Sequence, residues 1–131
     1  LNTLTVDYSK TRQQFGSPIG SFQVLQHRMV DTFMGCEQTK SMLYRGLCES
    51  KSVEEGEADA VALSKTVHAL KATVARYGKT IGEEAIQLHG GIGMTDELNI
   101  GHYVKRLMMI NTTFGDGDFH QKKFNQLSYS V

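Results

Sequence analysis

The chain has 131 residues, of which 40% are hydrophobic and 21% are charged, and its 14 Lys and Arg residues balance 14 Asp and Glu residues. This length and composition fit one soluble domain with a substantial core. A formal charge of zero argues against binding to a phosphate backbone, which needs an excess of basic side chains, so we expect no nucleic-acid partner. No apolar run approaches the roughly 20 residues that a membrane span requires.

The ends of the chain and its cysteines set further expectations. The sequence starts at Leu1 rather than Met, and residues 1–12 already have the pattern of a helix interior. Because no signal peptide explains that start, we expect a fragment of a longer protein, and we assign residues 1–131 to one domain. Cys36 and Cys48 are too few for a disulfide scaffold and form no Cys-x-x-Cys motif, so we expect inert, buried thiols in a reducing compartment.

Helical periodicity dominates the chain, and no run has the alternation that a strand requires. After the first helix, Ser17–Gly20 is expected to break the pattern because it contains the single proline. A second helix is predicted over about Ser21–Ser52 and a third over about Ala58–Leu88. The turn Glu54–Gly56 between them is short, which predicts that the two helices are antiparallel neighbours. The apolar residues that define these two helices are Phe22, Leu25, Met29, Phe33, Cys36, Leu43 and Leu47, and then Leu63, Val67, Leu70, Val74, Tyr77, Ile81, Ala85 and Leu88.

Two more helices complete the predicted architecture. One covers about Asp96–Thr112, with Thr95 or Asp96 as its cap, and the last covers about Phe119–Ser128. Gly78 and Gly82 lie inside the third helix, where we interpret them as packing positions rather than breaks. The predicted fold class is all-α, an up-and-down four-helix bundle with an additional C-terminal helix.

Several common catalytic motifs are missing. None of the five histidines has Glu three residues before it, and His-Glu-x-x-His is absent, so no metal site is predicted. The Gly-x-Ser-x-Gly and Walker A patterns are absent too.

Three segments carry more information than a plain bundle requires. The first is Arg12-Gln-Gln-Phe15-Gly16-Ser-Pro-Ile, followed by Phe22-Gln23; the second runs from Gln87 through Leu-His-Gly-Gly-Ile-Gly-Met-Thr-Asp to Glu97. The third runs from Lys105-Arg106 to Phe114-Gly-Asp-Gly-Asp118. Glycines between helices are most often C-cap and turn residues. The alternative is that they let a phosphate approach backbone N–H groups near a helix N-terminus.

Together these segments resemble the C-terminal helical domain of the acyl-CoA dehydrogenase family. The elements R-x-x-F-G-x-P-I…F-Q and Q-L-H-G-G-x-G-x-T-x-E occur in the same order, and the resemblance covers essentially the whole chain. Longer members also carry an N-terminal helical domain and a middle β-domain, and we expect neither of them within these 131 residues. The resemblance implies a flavoprotein of fatty acid metabolism that uses FAD to dehydrogenate an acyl-CoA substrate at its α,β bond.

The resemblance also implies partners and a compartment. Electrons would pass to an electron-transfer flavoprotein, and the domain would contribute to a homo- or hetero-oligomer, a dimer or tetramer. The bacterial cytoplasm is the favoured compartment and the mitochondrial matrix the alternative. The 131 residues alone are predicted to be inactive.

Site residues follow from the resemblance position by position. Arg12 matches the arginine at the FAD pyrophosphate, where a guanidinium can bind two phosphate oxygens at once. Phe15 matches the aromatic residue beside the cofactor, with a core anchor as the alternative, and Gln23 matches a glutamine that contacts FAD. His89 is interpreted as structural rather than as an acid or base. The loop along the ADP half of FAD is matched by Gln87, Leu88, His89, Gly90 and Gly91.

The chain departs from the family where many members carry their catalytic base. Those members have aromatic-Glu-Gly-Thr after an Arg that Arg106 matches, and the Glu is the base. An ungapped count places Gly115 at the Glu position, whereas a one-residue insertion would place Asp116 there. Asp116 is thus the candidate base, and a cap of the last helix is its alternative role. Other members carry the base on a helix that would lie upstream of Leu1. A non-catalytic partner or structural subunit and an oxidase-type relative are the competing functions.

Overall fold

The computed structural model describes residues 1–129, which form helices joined by short turns. The prediction of an all-α fold is confirmed. For most helix ends, the predicted position agrees with the observed one within about two residues. The helices are α1 Asn2–Thr11, α2 Gln23–Glu54, α3 Ala60–His89, α4 Ile100–Thr112 and α5 Gly117–Tyr129.

A small hairpin between α1 and α2 was not predicted. Strands β1 (Gln13–Gln14) and β2 (Ser17–Pro18) pair antiparallel, with Gln14 opposite Ser17. Phe15 and Gly16 form the turn with φ of 54° and 80°, the positive pair that a type I′ turn requires. Two-residue strands are too short to show an alternating pattern, so sequence periodicity could not detect them.

The chain divides into two compact units. Unit 1 consists of Leu1–Cys36 with Tyr77–Met109, and unit 2 consists of Glu37–Arg76 with the described residues 110–129. Helices α2 and α3 therefore contribute one half to each unit. In unit 1, Leu1, Ile86 and Leu98 pack against a buried cluster made of Ala85, Ile100 and Val104.

Contacts within each unit show that α2 and α3 are antiparallel neighbours, as predicted. In unit 1, Arg28 of α2 forms an ion pair with Glu84 of α3. In unit 2, a Cβ built on Gly46 of α2 would lie 3.7 Å from Leu70 Cδ2 of α3. Later residues of α2 thus meet earlier residues of α3.

The start of α4 was predicted four residues too early. Residues Gly90–Met94 form a short 3₁₀ helix, and Thr95 belongs to its end, where the Thr95 hydroxyl donates to the Ile92 carbonyl at 2.9 Å. Thr95 and Asp96 therefore do not cap α4, and the Asn99 carbonyl accepts the Tyr103 N–H at 3.2 Å instead. The run of glycines favours this turn over continued α-helix.

The glycines inside α3 behave as expected. A Cβ built on Gly78 would lie 3.6 Å from Leu107 Cδ2, and one on Gly82 would lie 3.5 Å from Val104 Cγ1. Both glycines are thus packing positions against α4, as predicted from the sequence.

One side of α2 is more exposed than predicted. Phe33 and Leu47 are 55% and 58% exposed, because the described residues leave this side of the helix uncovered. The expectation of buried thiols is wrong for Cys48, which is exposed, whereas Cys36 is half-buried. Within residues 1–129, no helix combines the length and the apolar character needed to cross a membrane.

Candidate functional site

Arg12 has a fixed backbone and a free side chain. It follows α1 in an extended conformation, its N–H donates to the Tyr8 carbonyl at 2.9 Å, and its carbonyl accepts the Ile19 N–H at 2.8 Å. The side chain is exposed, and no residue in the described part of the chain pairs with its guanidinium. The fixed backbone thus carries an unpaired, exposed guanidinium, which is suited to bind an anion from outside the domain.

Phe15 is at the tip of the β1–β2 hairpin. Its side chain is 92% exposed, and its ring meets Phe22 edge to face with 6.1 Å between ring centroids. The alternative role as a core anchor is therefore wrong. A bulky residue at positive φ costs about 1–3 kcal/mol, and such strain is concentrated at binding sites.

Gln23 is the first residue of α2, and its amide is exposed. The approach to this helix is held by Gln26, whose Nε2 donates to the Gly20 carbonyl at 2.9 Å. Gln23 thus projects from a fixed helix end close in sequence to the hairpin.

Buried residues at the C-terminal end of α3 lie between exposed ones. Gln87 is exposed, whereas Leu88 and His89 are only 5% and 6% exposed. Gly90 and Gly91 are exposed, and nothing lies within 4 Å of a Cβ built on either. The side chains of Leu88 and His89 point into the protein, so any ligand contact from them would involve their backbone.

His89 connects this end of α3 to α1. Its ring stacks on Tyr8 with 4.3 Å between centroids, and its Nδ1–H donates to the Ala85 carbonyl at 2.8 Å. The Tyr8 hydroxyl donates to the His89 carbonyl at 3.4 Å. These contacts bring α1, which Arg12 follows directly, against the Gln87–Gly91 segment. No role was predicted for Tyr8 from the sequence, although its place four residues before Arg12, in the helix that Arg12 follows, was a usable signal.

A groove of about 250 Å³ opens at the same junction. Its lining consists of Leu4, Tyr8, His89, Glu97, Leu98, Asn99 and Ile100. The volume is below the usual range for a whole ligand pocket, roughly 300–1,000 Å³. The groove is therefore a recess beside the Arg12 and Gln87–Gly91 segments and not a complete cofactor site.

An ion pair fixes the two long helices in unit 1. Arg28 Nε and Nη2 donate to the Glu84 carboxylate at 2.6 and 3.0 Å. The hydrogen bond that Arg28 donates to Glu84 raises the pKa of Arg28. This two-point contact joins α2, which begins at Gln23, to the part of α3 that leads to Gln87.

Asp116 belongs to unit 2, where its Oδ1 accepts the Phe119 N–H at 2.8 Å. This contact confirms the alternative role of Asp116 as the cap of α5. Phe114 and Gly115 precede it with φ of 61° and 101°. Lys71 closes the end of α4, since its Nζ donates to the carbonyls of Ile110 at 3.0 Å and Thr113 at 2.8 Å. Residues 1–129 contain no group of three or more His, Cys, Asp or Glu able to hold a metal ion.

Comparison with known proteins places the chain in a family. Residues 2–123 match the model of the acyl-CoA dehydrogenase C-terminal domain, and the chain belongs to this family. It is 39% identical over 103 residues to acyl-CoA dehydrogenase IpdE2 of Mycolicibacterium smegmatis, covering 79% of this chain and 29% of that protein. It is 32% identical over 118 residues to an L-prolyl-[peptidyl-carrier protein] dehydrogenase of Serratia, covering 90% of this chain and 29% of that protein.

Solved structures have the same fold. The FAD complex of PigA superposes with a TM-score of 0.82 at 27% identity, covering 95% of this chain and 31% of that one. The Tcur3481–Tcur3483 steroid ACAD variant superposes with a TM-score of 0.88 at 26% identity, covering 98% and 34%. The chain thus spans about a third of the length of these proteins.

Proposed function

We propose that the chain is the C-terminal, FAD-contacting and oligomerisation domain of an acyl-CoA dehydrogenase-like oxidoreductase. The whole enzyme would remove hydrogen from the α,β bond of an acyl-CoA thioester and pass electrons to an electron-transfer flavoprotein. The observation that carries the proposal is Arg12, whose backbone is bonded on both sides while its guanidinium stays exposed. The FAD complex of the related PigA supports the choice of cofactor.

The exposed groups of unit 1 fit such a cofactor. Arg12 would pair with the pyrophosphate, and the free amides of Gln23 and Gln87 would donate to it or to the ADP half. The open space at Gly90 and Gly91 lets a ligand approach the backbone. Phe15 would cover the cofactor with its exposed ring. FAD supplies the hydride acceptor, and this chain supplies position and electrostatics.

The two buried residues of the site, Leu88 and His89, position the exposed ones. Leu88 belongs to the interior of unit 1, and His89 stacks on Tyr8. Both thereby fix the backbone from which Gln87, Gly90 and Gly91 present their groups.

Flavin retention by the full-length protein tests the role of Arg12. Arg12→Ala should weaken FAD binding by about 1.5–3 kcal/mol, the range for a hydrogen bond to a charged group. Arg12→Lys should recover only part of this, because an ammonium keeps the charge but loses the planar fork. FAD dissociation constants from fluorescence titration of the apoprotein give both values.

Lys10→Ala is the matched control. Lys10 is an exposed cation of α1, two residues before Arg12 and paired with Asp7 at 3.1 Å, and its loss should leave FAD binding unchanged. Equal weakening by Lys10→Ala and Arg12→Ala would mean that general charge, and not the Arg12 fork, attracts the cofactor. Unchanged binding in Arg12→Ala would contradict the proposal.

A second candidate function is a partner subunit that completes a cofactor site without carrying the base. The observation that favours it is the corner after α4, where Asp116 caps α5; the ungapped count matches Gly115, and not a carboxylate, to the family Glu. In that case the base would come from another subunit or from a segment upstream of Leu1. Acyl-CoA turnover by the full-length protein, purified without a partner subunit, would contradict this second candidate function.

The exposed apolar residues of α2 support the oligomerisation role. Val30, Phe33, Tyr44 and Leu47 are each more than half exposed on this helix, and such side chains are commonly covered by a partner. We propose a homo- or hetero-oligomer in the bacterial cytoplasm, with the mitochondrial matrix as the alternative compartment.

A further inference from the structure

Two histidines of unit 2 contact each other directly. His68 Nδ1 of α3 and His120 Nδ1 of α5 are 2.7 Å apart, and the ring centroids are 4.9 Å apart. His120 is 5% exposed, and its second nitrogen, Nε2, lies 3.0 Å from the Phe114 carbonyl. The pair therefore joins α3 and α5 to the turn between α4 and α5.

The hydrogen bonds determine where the protons are. A carbonyl only accepts, so His120 Nε2 must carry the hydrogen that it donates to Phe114. In neutral His120 the Nδ1 atom is then an acceptor, and His68 Nδ1 must be the donor across the 2.7 Å contact. This leaves Nε2 of His68 as the unprotonated nitrogen of the pair.

Successive protons have different consequences for the pair. A first added proton goes to His68 Nε2 and breaks no hydrogen bond. A second proton can bind only to His120 Nδ1. Two N–H groups, one on each positively charged ring, would then face each other across 2.7 Å. The second proton therefore breaks the contact.

We propose that His68 and His120 form a proton-sensitive latch that positions the Phe114–Asp116 corner and opens when both imidazoles are protonated. Opening would free the Phe114 carbonyl and release the backbone that carries the exposed Phe114 ring. The corner has the sequence position at which many relatives place their base, but the latch requires no flavin role for this chain.

The surroundings disfavour protonation of His68. Burial lowers the pKa of His68, with further lowering by His120 and by Lys123 of α5. The other charged groups of the corner are already engaged: Lys71 of α3 bonds the Ile110 and Thr113 carbonyls, and Asp116 bonds the Phe119 N–H. Because the folded state disfavours protonation of His68, the latch is closed near neutral pH, and it opens only when the pH falls far enough below the ordinary histidine pKa, about 6.5, for both imidazoles to be protonated.

Nitrogen-15 NMR of the imidazoles in the full-length protein tests the proton positions. At neutral pH we expect His120 protonated at Nε2 and His68 protonated at Nδ1. On acidification we expect two coupled steps, with the His120 signal changing in the second. Two independent titrations, or the opposite tautomers, would overturn the proposal.

Hydrogen exchange in peptides that cover residues 113–120 tests the opening. His68→Leu removes the donor to His120, and we expect exchange roughly three- to tenfold faster than wild type at neutral pH, as for one lost hydrogen bond. His68→Asn keeps an N–H near the Nδ1 position but cannot become charged. It should exchange as wild type does at neutral pH and lose the acid-induced acceleration.

His102→Gln is the control, because His102 is an exposed histidine of α4 in unit 1. This variant should keep the acid response of wild type. Acid-induced acceleration that persists unchanged in His68→Asn would overturn the latch even if His68→Leu fails to fold. Loss of the latch with normal FAD binding would leave the proposed function intact, and loss of FAD binding in Arg12→Ala would leave the latch intact.

Discussion

Two Phe-Gly corners in this chain have similar backbones and different surroundings. Phe15-Gly16 has φ of 54° and 80°, and Phe114-Gly115 has φ of 61° and 101°. Both rings are exposed, at 92% and 90%. The first corner is the turn of a two-residue hairpin, and nothing lies within 4 Å of a Cβ built on Gly16.

The second corner is closed by side chains of unit 2. A Cβ built on Gly115 would lie 2.6 Å from Phe119 Cδ1 and 3.2 Å from His120 Nε2. Three side chains bond the backbone at this corner and beside it. Lys71 donates to the Ile110 carbonyl and His120 to the Phe114 carbonyl, and Asp116 accepts the Phe119 N–H. The comparison indicates that an open corner leaves its groups available to a ligand, whereas a closed one uses them to join helices.

The largest effect on stability should distinguish Gly115 from Gly16. Gly115→Ala should lower the free energy of unfolding by about 2–4 kcal/mol, because the new Cβ adds a clash to an unfavourable backbone. Gly16→Ala meets open space and should cost about 1 kcal/mol, for the backbone alone. Denaturant unfolding of the full-length protein, followed by a probe in this domain, measures both.

Gly115→Glu introduces a carboxylate at the position that the ungapped count matches to the Glu of many family members, and it extends the same test. We expect it to destabilise at least as much as Gly115→Ala and to confer no acyl-CoA turnover. Equal stability for Gly16→Ala and Gly115→Ala would show that the second corner is not closed as described. A gain of turnover in Gly115→Glu would place the family base position at a functional site after all.

Asp116 should have a smaller effect, through the start of α5. Asp116→Ala removes the acceptor of the Phe119 N–H and should cost about 1 kcal/mol of unfolding free energy, whereas Asp116→Asn should cost almost nothing, since Asn caps a helix nearly as well. If Asp116 is only a cap, turnover and flavin content should be unchanged in Asp116→Asn. Loss of turnover with normal flavin content would identify Asp116 as the base, because an amide keeps the shape and loses the basicity.

The sequence predicted the long helices because their apolar residues recur every three or four positions over about 30 residues. It also offered capping of the last helix as the alternative role of Asp116, because that role depends on local spacing alone. It missed the hairpin, whose pairing depends on the positive φ of Phe15, a residue that rarely adopts such a conformation. It also missed the contact of Tyr8 with His89, which joins residues 81 positions apart.

The exposed side of α2 shows a further limit of sequence analysis. Leu43 and Leu47 have the spacing of a core stripe, yet they are 47% and 58% exposed. Helical periodicity identifies a face that needs cover but does not say which element provides the cover. The same applies to His68 and His120, whose contact depends on how α3 and α5 pack within unit 2.

The smallest effect on stability concerns the open corner and has the opposite sign to the others. Phe15→Asn creates Asn-Gly, the preferred pair for a type I′ turn, and Asn tolerates the observed φ far better than Phe does. The relief of strain should outweigh the loss of the edge-to-face contact with Phe22 and raise the free energy of unfolding by about 0.5–1 kcal/mol. Flavin affinity should fall in the same variant, since the exposed ring that would cover FAD is gone, and apoprotein titration beside denaturant unfolding measures the two changes. Higher stability with unchanged flavin affinity would separate Phe15 from the cofactor, and lower stability would mean that its contact with Phe22 contributes more than the strain costs.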